Sequence, residues 1–358
     1  MSIERVGGLR RNLAEKGYDA FVSVARPTNQ YFTGFRGSTS GVLVTQDAAY
    51  FLCDFRYAEQ AAEQVQDYTV LEVRDGLSKR LGELLKEAGV TSAAFEPEAT
   101  TVQQLNAIEE AFGASLTADS DVVASLRSVK SAEEVRLIRD AMALAEGVLA
   151  DLLGTLEAGL TERELAAAFE YEFKKRGASG ASFDTIALFG ARSSLPHGEP
   201  GDKVLEAGDI VLLDFGCRKE GYCSDLTRTY VFGTMPGPWF EDIYTLTQEA
   251  QQRAIEAVKP GAVAREVDGV ARSIIASGGH AEHFGHGLGH GVGIEVHEAP
   301  RLGEHAACAL EPGMVVTVEP GIYLPGRGGV RIEDLVVVTD DGCELLSTAP
   351  KELRILPA

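Results

Sequence analysis

At 358 residues, with 45% hydrophobic and 24% charged side chains, the chain can bury a sizeable core and is longer than one small domain requires. A formal net charge of −21 argues against nucleic acid and anionic membrane as partners, because a phosphate-rich surface requires a basic one. The five cysteines are scattered without a Cys-x-x-Cys pair, which excludes a disulfide framework or a zinc ribbon and predicts reduced, mostly buried thiols. No apolar run is long enough to span a bilayer and no signal-peptide core opens the chain, so a cytoplasmic protein is expected.

In chain order, residues 1–125 alternate helix and strand signals and predict a small α/β domain. An amphipathic helix over 3–16 precedes a strand at 19–24. Three short strands are expected at 31–35, 41–45 and 49–53, then a helix over 57–66. A helix over 77–88, a strand at 93–96 and a helix over 102–112 complete the unit. The boundary falls at 125–131, where Ser131-Ala-Glu-Glu134 has the capping-box pattern that opens a new helix, running to about 156. A second box, Thr161-Glu-Arg-Glu164, opens a helix with Leu165, Phe169 and Phe173 on one face and Gly177 as its stop.

Residues 126–358 contain a repeat. Glu206-Ala-Gly-Asp-Ile-Val-Leu-Leu-Asp214-Phe-Gly parallels Glu311-Pro-Gly-Met-Val-Val-Thr-Val-Glu319-Pro-Gly, each a turn, an apolar run, a carboxylate and a glycine. Gly159-Leu-Thr-Glu-Arg-Glu-Leu parallels Gly261-Ala-Val-Ala-Arg-Glu-Val, at an offset of 102 residues against 105 for the strands. Two pairs in register predict a duplicated domain, with two helix-plus-hairpin halves facing each other across a site.

Each repeated strand is followed by a second acid, Asp225 and Glu333, so four carboxylates come from two matching hairpins. Between them lies His286-Gly-Leu-Gly-His290-Gly-Val-Gly-Ile-Glu-Val-His297-Glu, in which glycines permit close backbone approach and imidazoles supply nitrogen ligands or proton carriers. His286, His290 and His297 are read as functional, and His280, His283 and His305 as incidental. Carboxylates with histidine form a hard ligand set that favours manganese, cobalt or iron over structural zinc, and two divalent ions would balance four carboxylates. Such a centre points to metal-assisted hydrolysis. The zinc-protease pattern His-Glu-x-x-His fails because residue 301 is Arg and Pro300 would break the helix it needs. A phosphate loop fails for want of the terminal Gly-Lys-Ser or Gly-Lys-Thr.

Taken together, Leu195-Pro-His-Gly198, Asp214-Phe-Gly, Gly221-Tyr-Cys-Ser-Asp225-Leu-Thr-Arg-Thr, Gly289-His290-Gly-Val-Gly, Val296-His297-Glu298, Val318-Glu319-Pro-Gly-Ile-Tyr323 and Gly329-Val-Arg-Ile-Glu333-Asp resemble one family. It is the creatinase/prolidase/methionine aminopeptidase superfamily of pita-bread metallopeptidases, and within it the Xaa-Pro peptidases. Phe35-Arg-Gly-Ser and Asp54-Phe-Arg-Tyr57 extend the resemblance to the creatinase-type N-terminal domain. The resemblance implies a small creatinase-like α/β domain over 1–125 and a pita-bread catalytic domain, a duplicated α+β unit, over 126–358. It implies two divalent ions, manganese or cobalt, held by Asp214, Asp225, His290, Glu319 and Glu333. Asp225 and Glu333 would bridge them, and Glu319 would also take the proton from the attacking hydroxide. His286 and His297 would contact the scissile carbonyl and the proline-side residue, His197 would line the same pocket, and Arg331 and Tyr323 would support it. A homodimer is the common assembly of such enzymes. Arg192-Ser193 departs from the family pattern before Leu195-Pro-His and leaves the subsite contacts open.

The expected reaction is hydrolysis of the Xaa-Pro bond. Chain length favours a dipeptidase (prolidase), and Arg36, in a Gly-Phe-Arg-Gly-Ser turn, is read either as a bidentate partner for the free carboxylate of a dipeptide or as a solvent-facing loop arginine. The alternative is aminopeptidase P acting on longer peptides, which the same N-terminal phrases also resemble. A metal-free creatinase-like hydrolase or a non-catalytic peptide-binding homologue is disfavoured because all five ligand positions are filled.

Overall fold

In a computed structural model, which describes residues 2–358, the chain divides into two units at Arg127/Ser128. The first is built on a six-stranded sheet in the order Thr69–Glu72, Ala49–Cys53, Gly41–Thr45, Ala20–Ser23, Ala93–Phe95 and Thr117–Ala118. Ala20–Ser23 runs antiparallel to Gly41–Thr45 and parallel to Ala93–Phe95. The helices Leu77–Glu87 and Val102–Phe112 close one face, with Leu81, Leu84, Leu85, Ile108 and Phe112 against Val22, Leu43 and Leu52. The strand expected at 31–35 is instead the end of a helix, Arg26–Thr33. Pro27 stands at its first turn, where a missing N–H costs nothing, and Gly34 stops it at φ 75° with its N–H on the Gln30 carbonyl. A short apolar run such as Tyr31-Phe32 does not choose between strand and helix by itself, and the flanking Pro and Gly decide it. The helix Asp121–Ser128, for which no element was expected, runs into the boundary placed at 125–131.

The second unit contains the duplication. Its halves each carry two helices, Ala132–Leu153 with Glu162–Lys175 and Pro238–Ala257 with Ala264–Ser277. The helix Pro238–Ala257 went unnoticed in the sequence, although Phe240, Ile243, Tyr244, Thr247, Gln251 and Ala254 bury one face at helical spacing. One sheet orders Ile355–Leu356, Leu226–Phe232, Ile210–Phe215 and Ile186–Phe189; a second orders Glu298–Leu302, Gly289–Gly291, Val315–Val318, Asp334–Val338 and Cys343–Leu345; a third, smaller one orders Tyr222–Cys223, Cys217–Lys219 and Gly180–Ala181. A separate hairpin pairs Gly321–Leu324 with Gly328–Arg331. Among the described residues, no helix is long and apolar enough to cross a membrane.

The two halves repeat at the level of single hydrogen bonds. Gly159 N–H donates to Leu205 O, Leu205 N–H to Leu160 O, Glu162 N–H to Lys203 O and Arg163 N–H to Gly201 O. In the second half Gly261 donates to Leu310, Leu310 to Ala262, Ala264 to Cys308 and Arg265 to Ala306. Adding the helix offset to one partner and the strand offset to the other converts each bond of the first set into one of the second. Gly159 and Gly261 have φ of 95° and 78°, which explains a glycine at both positions.

The copies differ at the helix cap. Thr161 and Glu164 form a complete capping box, whereas the equivalent Val263 offers no side-chain cap although Glu266 stands at the box position. Restoring the box by Val263→Thr is expected to stabilise the protein by about 1 kcal/mol, and Thr161→Val to destabilise it by about the same amount. Urea unfolding midpoints should shift in opposite directions; a shared direction would contradict the equivalence of the two caps.

Candidate active site

Strand alternation directs the acids to one place. Asp214 and Thr227 are direct partners across the antiparallel pair Ile210–Phe215 and Leu226–Phe232, so their side chains share a face, and Asp225 lies two residues before Thr227 on that face. In the second half, Glu319 follows Val315–Val318, and Glu333 sits between Arg331 and Asp334 where the chain passes from hairpin to sheet. One carboxylate oxygen from each of Asp214, Asp225 and Glu333 lies within 4.8 Å of the others. His290 closes the group, its Nε2 being 3.3 Å from Glu319 Oε1 and 3.5 Å from Asp225 Oδ2. Gly289 makes this approach possible, since a β-carbon there would collide with the Thr317 carbonyl.

The surrounding hydrogen bonds orient these groups. Thr227 Oγ1 donates to Glu333 Oε2 at 2.8 Å, and Thr317 Oγ1 donates to Glu319 Oε1 at 3.0 Å. Buried Arg331 donates to Asp214 Oδ2 at 2.5 Å, to Tyr323 Oη at 2.8 Å, to Thr227 Oγ1 at 3.1 Å and to the Pro196 carbonyl at 3.2 Å. His290 Nδ1 donates to the Gly291 carbonyl at 3.1 Å, so in the metal-free protein the proton that pairs with Glu319 sits on Nε2, and it is the lone pair of this nitrogen that a metal would take. The same logic applied to His286 puts the proton on Nδ1, 2.8 Å from the Gly287 carbonyl, and makes Nε2 the acceptor of the Tyr323 hydroxyl at 2.9 Å. His297 is exposed, with its ring centroid 4.2 Å from that of His290.

The residue set fits divalent ions. Asp214 Oδ1 and Glu333 Oε1 are buried with no hydrogen-bond partner, a costly state for anionic oxygens that a cation in the same space relieves. Burial, and then the Glu333 and Asp214 charges, push the Asp225 carboxyl well above the usual carboxylate range. Glu333 is raised likewise by burial and by the Glu319 and Asp214 charges, and burial raises Asp214 despite Arg331. Burial works in the same direction on Glu319, but the hydrogen bond and charge of His290 outweigh it and bring this acid below its ordinary value. Reciprocally, burial works to lower His290, and Glu319 raises it. Burial holds His286 down as a neutral imidazole and lifts Tyr323 to about 12, and partial desolvation, followed by the neighbouring His290 charge, lowers His297 although the residue as a whole is exposed.

Thus Asp214, Asp225, His290, Glu319 and Glu333 form one cluster, with Arg331, Tyr323 and His286 linked behind it. His197 is exposed on the loop that follows the 3₁₀ turn Gly190–Ser194. Arg36 is exposed in the N-terminal unit, and its carbonyl accepts a hydrogen bond from Arg26. Arg192, the departure from the family pattern, is bound to the fully buried Glu162 at 2.9 Å and to the Glu199 carbonyl at 2.6 Å. It therefore fastens the loop bearing His197. Sequence reasoning assigned no role to Thr227 and Thr317; the alternation from Asp225 and Glu319 was the signal that could have found them. It also missed the layer behind. Fully buried Arg228 donates to Asp334 Oδ1 at 2.8 Å and to the carbonyls of Thr227, Glu333, Ala349 and Pro350. Asp334 also accepts from Gln251, Ser347 and Lys351.

A centre of carboxylates and one imidazole, held between two repeated halves of helix and sheet, defines a metal-dependent hydrolase. The model of Metallopeptidase family M24 matches residues 136–340, and that of the Creatinase/Prolidase N-terminal domain matches residues 5–129. The chain belongs to metallopeptidase family M24. The Xaa-Pro dipeptidase of Pyrococcus horikoshii is 36% identical over 355 residues, with 98% of each chain covered. The structure of an Xaa-Pro dipeptidase from Bacillus anthracis matches with a TM-score of 0.96 at 39% identity, over 99% of this chain and 100% of that one. An X-Pro aminopeptidase from Thermotoga maritima matches at 0.88 and 38% identity, over 96% of this chain and 99% of that one.

Metal binding is expected to displace protons. The metal-free folded protein holds protons on Asp225 and Glu333 more tightly than the unfolded chain does, so their contribution favours folding at low pH and is lost as pH rises through the raised values. A divalent ion takes the place of those protons. The gap in melting temperature between metal-loaded and metal-free protein should therefore widen as pH rises from about 5 to about 8. A gap independent of pH would contradict the assignment.

Proposed function

We propose that this chain is an Xaa-Pro dipeptidase whose centre takes two divalent ions, manganese or cobalt, on Asp214, Asp225, His290, Glu319 and Glu333. The observation that carries this is the convergence of these five side chains with two buried carboxylate oxygens left without a hydrogen-bond partner. Oxygen-rich donors with a single nitrogen match these ions. Full-length similarity to Xaa-Pro dipeptidases supports the choice of substrate over longer peptides.

When bound, the ions supply Lewis acidity toward the peptide carbonyl and make a water acidic enough to attack it. The chain's own residues do the remainder. Glu319, whose carboxyl is already held below its ordinary value in the metal-free protein, accepts the proton of the attacking water and can return it to the proline nitrogen as the bond breaks. His286 reaches the scissile carbonyl by exchanging the Tyr323 hydroxyl for substrate, while Arg331 retains Tyr323 and Asp214 in position. His297 and His197, both exposed, contact the proline-side residue. Arg36 is the proposed partner of the dipeptide carboxylate. The protein is proposed to work as a cytoplasmic homodimer.

The test is hydrolysis of Leu-Pro beside Ala-Pro-Ala by metal-stripped protein with manganese or cobalt restored. Cleavage of the dipeptide alone is expected, with Glu319→Gln lowering kcat by about a thousandfold and Arg36→Ala raising KM for the dipeptide by about tenfold. Faster cleavage of the tripeptide would assign an aminopeptidase P. Activity indifferent to metal, or retained in Asp225→Ala, would overturn the proposal.

A further inference from the structure

The loop that carries His297 is folded around a carboxylate. Glu298, at the start of the strand Glu298–Leu302, turns its side chain back into the loop. The Glu295 N–H faces its Oε2 at 3.5 Å, and Gly293 lies so close that a β-carbon there would overlap the carboxylate. The far side of the loop is tied to the strand entering the metal cluster. Cys223, two residues before Asp225, donates its N–H to the Gly293 carbonyl at 2.8 Å, and its Sγ is 3.4 Å from the Ile294 carbonyl.

What neutralises Glu298 comes from elsewhere in the chain. Lys130 Nζ is 2.9 Å from Glu298 Oε1, with side-chain exposures of 1% and 7%, so the pair is shut off from water. Lys130 is itself fixed, its N–H on the Gly313 carbonyl at 2.9 Å and its Nζ 3.2 Å from the Ser128 carbonyl. Removing one partner of such a buried pair leaves the other charge uncompensated. Without the ammonium, Glu298 loses the buried counter-ion at its Oε1, and its carboxylate shifts together with the loop at His297 that is folded around it.

We propose that Lys130, in the stretch just before the Ser131 helix cap, is a positioning residue for the reaction, acting through Glu298 on the placement of His297. This rests on the reading of His297 as a substrate contact. It also assigns a task to a residue that the family's metal and proton chemistry does not use.

A double-mutant cycle on the metal-loaded full chain, with Leu-Pro as substrate, tests it. Lys130→Met is expected to lower kcat/KM about tenfold with bound metal unchanged, and Lys130→Arg to stay within about threefold of wild type. On a His297→Ala background, Lys130→Met should then change kcat/KM by less than about twofold, because the residue through which it acts is gone. A tenfold loss on both backgrounds would overturn the inference and leave Lys130 a structural residue. If His297→Ala alone changes nothing, the reading of His297 fails, and this inference with it. Should Lys130→Met not fold, Lys130→Met/Glu298→Gln removes both charges of this pair and enters the same cycle, with the same outcomes deciding it.

Discussion

Carboxylates crowded into a largely buried space repel one another and lose much of their hydration, and each must be held there by something stronger. In this protein Asp214, Asp225, Glu319 and Glu333 meet in that way, and much of the surrounding structure serves to hold them. Arg331 lies against Asp214, Thr227 against Glu333, and His290 against Glu319. These partners are too few for the acids present. The unmatched oxygens of Asp214 and Glu333 and the raised Asp225 and Glu333 carboxyls are two signs of the same deficit of positive charge. Divalent ions remove it, so the site is built to be completed by metal.

The geometry depends on strand periodicity and on a second polar layer. Thr227 faces the cluster while its neighbour Arg228 faces away; Glu333 faces the cluster while Asp334 faces away. The away-facing pair joins in an ion pair that also gathers Gln251, Ser347, Lys351 and the carbonyls of Ala349 and Pro350. Thus the strands from the two halves that carry the acids are fastened to each other directly behind the site. Register is the vulnerable quantity, because a slip of one residue would exchange the two layers. Duplication supplies the frame, repeating the same helix-to-strand bonds in both halves.

Much of this was legible in the residues. Asp214, Asp225, Glu319 and Glu333 announce themselves as polar ends of apolar strands, and the capping boxes at Ser131 and Thr161 mark real helix starts. The glycines around His290 are explained by backbone contacts that a side chain would prevent. Other features depend on tertiary distance, which periodicity does not encode. Arg228 reads as an ordinary strand residue until its acceptors at Glu333 and Ala349 are brought near. Lys130 reads as a linker lysine until Glu298 meets it. The helix at Arg26–Thr33 was misread for a different reason, since its apolar run is too short to reveal a period.

Asp214, Asp225, Glu333, His290 and Glu319 are the proposed metal ligands, and everything else at the site depends on that assignment. The most direct measurement is a crystal structure grown with manganese, with anomalous difference density collected at a wavelength where manganese scatters strongly. Two peaks are predicted, contacting Asp225 and Glu333 in common, with Asp214 on one and His290 and Glu319 on the other. Absence of anomalous density between these carboxylates in protein loaded with excess manganese would contradict the central claim.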